Sequence, residues 1–297
     1  MMIISENIHS LKSYVVQKFK SHRVMMDSIV YLVKGEKTAL IDTSHFVTAE
    51  GLIQKMRYLT DFDVEDLSYI LLTHSHADHS GGLSLFKRCN TKALVACHES
   101  GKDSVEVYGG VTPDLSLHNG DRIDLGDGQV ISVIHSPGHS QDSVCFLTSK
   151  EKALIVGDSV GPGVDDAFER IQSTDDDSFG GPYVERIPWL GVLNDAAAYI
   201  DTLNTLGKID FNILLPGHGV PFSGSMAKQY LDRCVAHFDL VDKIITEIPE
   251  NDYKLLVEEI CKKYVGLGFK GLPREPWNMC VFTFETVNAF LRRQGRL

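Results

Sequence analysis

"SYILLTHSHADHSGG", residues 68–82, places His74, His76, Asp78 and His79 within six positions, directly behind the apolar run Tyr69–Leu72. A regular strand sends alternate side chains to opposite faces, whereas a cluster just past a strand end is free to converge on one point. Neutral imidazoles with a carboxylate are the ligand set that Zn²⁺ prefers, and iron and manganese use the same set. A solvated polar loop would account for one such histidine. It accounts poorly for three with an aspartate at this spacing.

Three more metal-competent residues stand immediately after apolar strand-like runs: His139 in "VIHSPGHS", Asp158 in "ALIVGDS" and His218 in "NILLPGHG". Each alone reads as an ordinary turn. Their recurrence at strand ends is the signal, because α/β sheets carry functional groups there. Together the set holds five histidines and two aspartates, enough for two metal ions.

The rest of the chain supplies a sheet-and-helix frame for these ends. Ile29–Thr43 reads as a hairpin around the polar turn Lys34–Lys37. Glu50–Thr60 carries Leu52, Ile53, Met56 and Leu59 at helical spacing. Gly81-Gly82 opens a helix through Phe86, "KALVAC" is strand-like, and "GDRIDLGDGQVISVIH" and "SVCFLTSKEKALIVGDS" each read as strand, turn, strand. "NDAAAYIDTLNTLGKID" reads as a helix capped by Asn194 or Asp195, and "FNILLP" as a strand. Residues 160–189, rich in Gly, Pro and acidic side chains, read as a loop or lid. From residue 225 the chain is mainly helical, with apolar stripes over 226–248, 253–264 and 283–293. This rhythm predicts an α/β protein with helix-covered sheets, a catalytic domain over residues 1–224, and a helical C-terminal appendage over 225–297.

Bulk properties narrow the chemistry. At 297 residues the chain can bury a large core, and 43% hydrophobic with 23% charged residues is an ordinary globular composition. A formal net charge of −11 offers no basic footprint for nucleic acid or an anionic membrane, so neither is an expected partner. No membrane-length apolar run and no signal-peptide pattern is present, and six scattered cysteines fit a reducing compartment; the expectation is a cytoplasmic protein. A homodimer is compatible with the sequence.

The ordered set "THSHADHSGG", "PGHS", "GDS" and "PGHG" resembles the metallo-β-lactamase superfamily from about Ile29 to Pro221. The resemblance implies an αββα sandwich with a metal site at one edge between the sheets. It further implies that His74, His76 and His139 hold one divalent ion, that Asp78, His79 and His218 hold a second, and that Asp158 bridges them. Zn²⁺ is the first expectation, with Fe or Mn as alternatives. Two such ions about 3.5–4 Å apart can share a water and lower its pKa towards about 7. The implied activity is a dinuclear hydrolase whose bridging hydroxide attacks an ester, thioester or lactone of a small molecule. Asp78 is then both ligand and the candidate catalytic proton carrier.

Asp42 in "ALIDTS" matches the family's early strand-end aspartate, which supports a ligating histidine; a turn or cap aspartate is the plainer reading. Ser44 stands where many relatives have glycine. Within the family, intact His76 disfavours the oxidoreductase branch, and Ser159-Val160-Gly161 after Asp158 lacks the tyrosine of typical lactonases. "GHGVPFSG" lacks the recognition set of glyoxalase II enzymes. A general likeness is to thioesterase-like members with a helical C-terminal region, which implies that Phe168, Phe179, Tyr183 and Trp189 line an apolar substrate pocket. Two other readings are a phosphodiesterase or single-strand ribonuclease, suggested by Arg292, Arg293 and Arg296 in the last helix, and a regulatory protein that acts through partner binding.

Overall fold

A computed structural model describes residues 2–19, 22–60, 62–161, 192–249, 252–266 and 284–297 of the chain. Two mixed sheets lie face to face. The first runs in the order β1 (Met2–Ile3), β2 (Ile8–Phe19), β3 (His22–Lys34), β4 (Thr38–Ile41), β5 (Leu67–Leu71), β6 (Leu94–His98), β7 (Leu115–Leu117). The second contains β8 (Arg122–Asp124), β9 (Val130–His135), β10 (Val144–Thr148), β11 (Ala153–Gly157), β12 (Ile213–Pro216) and β13 (Phe222–Ser223), ordered from β13 back to β8.

Alternation along the strands shows why two sheets stack. Ala39, Ile41, Leu71 and Ala96 of the first sheet meet Val133, Phe146, Ala153, Ile155 and Leu215 of the second in one inter-sheet core. Their chain neighbours Leu40, Ile70, Leu72 and Val95 face the other way, against α1 (Ala49–Leu59), α3 (Leu83–Cys89) and α4 (Lys102–Gly109). On the far side, Cys145, Leu154, Val156 and Leu214 pack under α5 (Ala196–Gly207), α6 (Ser225–Glu247), α7 (Tyr253–Gly266) and α8 (Phe284–Arg293). Strands covered on both faces read as continuous apolar runs, as "TALI" and "ALIVG" do. The result is the αββα layering implied by the resemblance, with a helical C-terminal region in the outer layer.

In α1 the buried residues are Ala49, Leu52, Ile53 and Met56, an i, i+3, i+4, i+7 stripe. Burying each of its larger side chains contributes about 1.5–3 kcal/mol. The expected stripe extends one turn too far, because Leu59 is exposed and Thr60 already caps the helix through its N–H to Met56 O. Asp195 caps α5, its carboxylate accepting from Ala197 N at 2.9 Å and Ala198 N at 3.0 Å. Asn194 does not serve that role.

Two expectations near the site need correction. The helix expected from Gly81 starts two residues later, at Leu83, and Ala77–Ser80 forms a separate turn, α2, which carries Asp78 and His79. The strand expected from the apolar run Tyr69–Leu72 ends at Leu71, one residue short of the run, although Leu72 N–H still donates to Ala96 O at 2.9 Å. The long β2, paired with β3 from Ile8↔Val33 to Phe19↔His22, was not expected at all. Its alternation is diluted by polar residues on both faces.

Strand direction sets the position of the site. Since β9 and β11 each pair antiparallel with β10, and β12 pairs parallel with β11, β9, β11 and β12 all end at one edge. In the first sheet β4 and β5 are parallel and end together. The two sheets are tied at this edge by Ile29 N–H to Gly217 O (2.8 Å), Tyr31 OH to Pro216 O (2.6 Å) and Val144 N–H to Thr73 O (2.8 Å).

Candidate metal centre

Four of these ends deliver side chains to one place. His74 follows β5, His139 follows β9, Asp158 follows β11 and His218 follows β12, while α2 adds Asp78 and His79. His139 Nε2 lies 3.2 Å from His74 Nε2 and 2.9 Å from His76 Nδ1. His79 Nε2 lies 3.3 Å from His218 Nε2, and Asp78 Oδ2 is 3.4 Å from His218 Nε2. Asp158 stands between the two groups: Oδ1 is 3.4 Å from His79 Nε2, and Oδ2 is 3.3 Å from His218 Nε2 and 3.6 Å from His139 Nε2.

The outer nitrogens are fixed by acceptors. His139 Nδ1 donates to Val192 O at 2.6 Å, His79 Nδ1 to Asp42 Oδ2 at 2.9 Å, and His218 Nδ1 to Asp27 O. Thr73 Oγ1 donates to Asp42 Oδ2 at 2.8 Å, so it accepts from His74 Nδ1 at 3.1 Å. A neutral imidazole carries one proton; with that proton on Nδ1, Nε2 presents a lone pair to the interior. His76 is the exception, turning Nδ1 inward.

Facing lone pairs at 3.2 Å repel unless something positive lies between them. Three clusters of ligand atoms, His74/His76/His139, Asp78/His79/His218 and His74/His79/Asp158, each converge to within 4.8 Å. Among the described residues, the buried Asp158 Oδ1 has no hydrogen-bond partner, which a natural site seldom leaves without reason. Gly217 is required by the same crowding: a Cβ there would stand 2.6 Å from His79 Cε1 and 2.7 Å from Asp158 Oδ1. Nitrogen and oxygen donors in this number suit borderline divalent cations.

Charge supports the same fit. Burial pushes His74 well below the ordinary imidazole range and takes His139 down to about 4, and neighbouring imidazoles add to the effect at both. Burial also opposes charge on His79 and His218, but Asp158 and Asp78 outweigh it, lifting His79 to about 10 and His218 well above its usual range. Burial would raise Asp78 and Asp158, yet the same histidines hold both carboxyls well below the usual range. The negative potential that keeps protons on these imidazoles would equally hold divalent cations in their place.

Asp42 lies where it accepts from Thr73 N and Thr73 Oγ1, both at 2.8 Å, and from His79. One carboxylate therefore reaches histidines of both groups. Ser44 has φ +62° and packs its hydroxyl against Ser13 (2.6 Å), Ser28 (2.5 Å) and Thr48 (2.9 Å). Phe168, Phe179, Tyr183 and Trp189, with most of the expected lid, lie outside the described residues. His98 and His135 stack at 4.1 Å, and His118 faces Glu99 at 3.2 Å, apart from the seven-residue cluster.

Sequence reading missed Asp27, Thr73 and the Val192 carbonyl. Asp27 accepts from Gly219 N at 2.9 Å and pairs with Lys12 Nζ at 2.7 Å, so β2 and β3 brace the His218 turn. A carboxylate in the apolar run "VMMDSIV" was the available signal. A backbone carbonyl leaves none.

A family model described as the metallo-beta-lactamase superfamily matches residues 25–218. Among curated proteins, the chain is 29% identical over 212 residues to the lactamase-like protein nscB of Trichophyton rubrum, covering 70% of this chain and 53% of that one. It is 32% identical over 136 residues to the atrochrysone carboxyl ACP thioesterase nsrC of Aspergillus novofumigatus (42% and 36% covered). With thioesterase pkgB of Emericella nidulans the identity is 27% over 190 residues (64% and 45% covered). The chain thus spans about half the length of the curated relatives it matches. A solved metallo-beta-lactamase family protein from Thermus thermophilus shares its fold with TM-score 0.66 at 18% identity, over 99% of this chain and 95% of that one. The Flv1 flavodiiron core from Synechocystis superposes with TM-score 0.64 at 18% identity, over 81% and 60%.

Proposed function

Because this chain belongs to the metallo-beta-lactamase superfamily, we propose that it is a metal-dependent hydrolase of a small-molecule acyl thioester, with ester and lactone as related substrates. The observation that carries the reading is the convergence of two three-residue groups on the Asp158 carboxylate. The thioesterase names of two relatives support the thioester.

His74, His76 and His139 would hold one ion, and Asp78, His79 and His218 the other, with Asp158 facing both. Bound there, divalent cations acidify water and polarise a carbonyl oxygen. Zn²⁺ is the first choice by donor set. The chain's own contribution is orientation: acceptors at Val192 O, Asp42, Asp27 O and Thr73 Oγ1 fix four imidazole rings before substrate arrives. Asp78 is the site carboxylate most open to solvent, its side chain 26% exposed against 18% for Asp158 and 4% for Asp42. In this reading its carboxylate would accept a proton and release it to water or to a leaving thiolate.

The nuclease reading loses support from the last helix. Arg292 donates to Asn194 O (3.1 Å), Arg293 pairs with Asp242 (3.1 Å) and Arg296 donates to Ile245 O (2.7 Å), so these guanidiniums are engaged within the chain.

Metal analysis of the purified protein, with acyl thioesters, lactones, a phosphodiester and single-stranded RNA assayed beside His76→Ala and Asp158→Ala, tests the proposal. The expected result is about two equivalents of metal and thioester turnover that both variants abolish. A metal-free native protein, or unchanged turnover in both variants, would sink it.

A further inference from the structure

We infer that the C-terminal helix α8 is part of the support of the metal site, with Thr286 and Arg292 acting as positioning residues for His139. The inference rests on the reading of His139 as a ligand. His139 sits in the "PGH" turn, and its Nδ1–H donates to Val192 O at 2.6 Å. Two residues further along hold the same turn from the other side: Asn194 N–H and Asp195 N–H both donate to Gly138 O, at 2.9 and 3.0 Å. Residues 192–195 therefore set both the ring and the backbone of this ligand.

That segment is in turn held by α8. Leu193 N–H, fully buried, donates to the buried Thr286 Oγ1 at 3.1 Å, and Arg292 Nη2 donates to Asn194 O at 3.1 Å. Leu193 also shares one core with Val287, Phe290 and Leu291 of α8 and with Tyr199 of α5. Gly138 has φ +137°, and a Cβ there would lie 2.4 Å from Tyr199 Cα, so the turn is pressed directly onto α5 with no slack to take up a shift. Movement of 192–195 would thus pass to the His139 ring. The other three acceptors lie on β3, in the loop after β4 and in the loop after β5. The expected consequence is selective: loosening α8 weakens the His74/His76/His139 group and spares Asp78/His79/His218.

Zinc titration of the full chain against a chromophoric chelator tests this, with circular dichroism as the check on folding. The wild type should take two equivalents in two steps, one of which His139→Ala removes. Thr286→Val, which keeps the shape but deletes the acceptor, should weaken that same step roughly tenfold. Thr286→Ser should restore it, and the exposed Arg292→Ala should weaken it to a lesser degree. A folded Thr286→Val that titrates like wild type, or that weakens both steps equally, overturns the inference while leaving the proposed function intact. If Thr286→Val does not fold, Arg292→Ala decides alone, an unchanged step counting against the inference. A wild type that takes up no zinc overturns the metal-site reading itself.

Discussion

His79 Nδ1 donates to Asp42 Oδ2 at 2.9 Å, and the same oxygen accepts from Thr73 Oγ1, which in turn accepts from His74. Asp42 thereby orients one histidine from each group while sitting at φ +63° itself. Asparagine tolerates that backbone conformation, so Asp42→Asn isolates the loss of the carboxylate. Metal affinity should fall roughly ten- to hundredfold, measured by competition with a chelator. Asp42→Ala should show the same loss and also cost about 1–2 kcal/mol of stability for the left-handed conformation.

Asp27 holds the opposite wall. Its carboxylate is buried, and Lys12 beside it is only partly open to water. Asp27→Ala should cost about 2 kcal/mol in urea denaturation, below the usual range for a fully buried pair because solvent reaches the lysine. The carbonyl that accepts from His218 remains in the variant. Loss of stability should therefore exceed loss of metal, and metal loss as severe as in Asp42→Asn would contradict this assignment.

Ser44→Gly measures two opposed effects at one position. Relief of the positive φ favours glycine by about 1 kcal/mol, whereas losing the bonds to the buried Ser13 and Ser28 hydroxyls, which keep their bond to each other at 3.1 Å, costs about 1–3 kcal/mol. The net expectation is a loss of about 1 kcal/mol. Ser44→Ala keeps the strain and loses the bonds, so it should be the less stable of the two.

The metal-stripped protein should be most stable near the ordinary imidazole pKa of about 6.5. His139, at about 4 when folded, binds its proton more readily when unfolded, so stability falls as pH drops from about 6.5 towards 4. His79, at about 10, binds its proton more readily when folded, so its contribution is full below about 6.5 and is lost as pH rises through about 10. Zinc should flatten the alkaline limb, since a cation replaces the proton. Thermal melts from about pH 4 to about pH 10, with and without zinc, provide the check; an alkaline fall of equal size in both would count against it.

Burial pushes the thiols of Cys97 and Cys234 up to about 12 and that of Cys145 to about 11, whereas Cys89 is exposed. The thiolate is the reactive form. Of these four cysteines, iodoacetamide at about pH 8 should modify Cys89 first by peptide mapping, and the other three only on unfolding. Early labelling of Cys145 would show that the second sheet's outer face is open.

Local sequence determined much of this protein. The apolar runs at residues 38–41, 67–72 and 153–157, the glycine turns near them, and the seven ligand-type residues at strand ends are each patterns of a few adjacent positions, and such patterns carry strand, turn and donor chemistry without reference to the rest of the chain. What only the tertiary structure decided is the set of partners: Asp27 beside His218, Val192 O on His139, Asp42 shared through Thr73, and Thr286 behind Leu193. These contacts join residues up to 191 positions apart. Two of them use backbone carbonyls that every residue type carries, so side-chain identity holds no trace of those two. Packing of two sheets and their helices is what selects which carbonyl meets which ring.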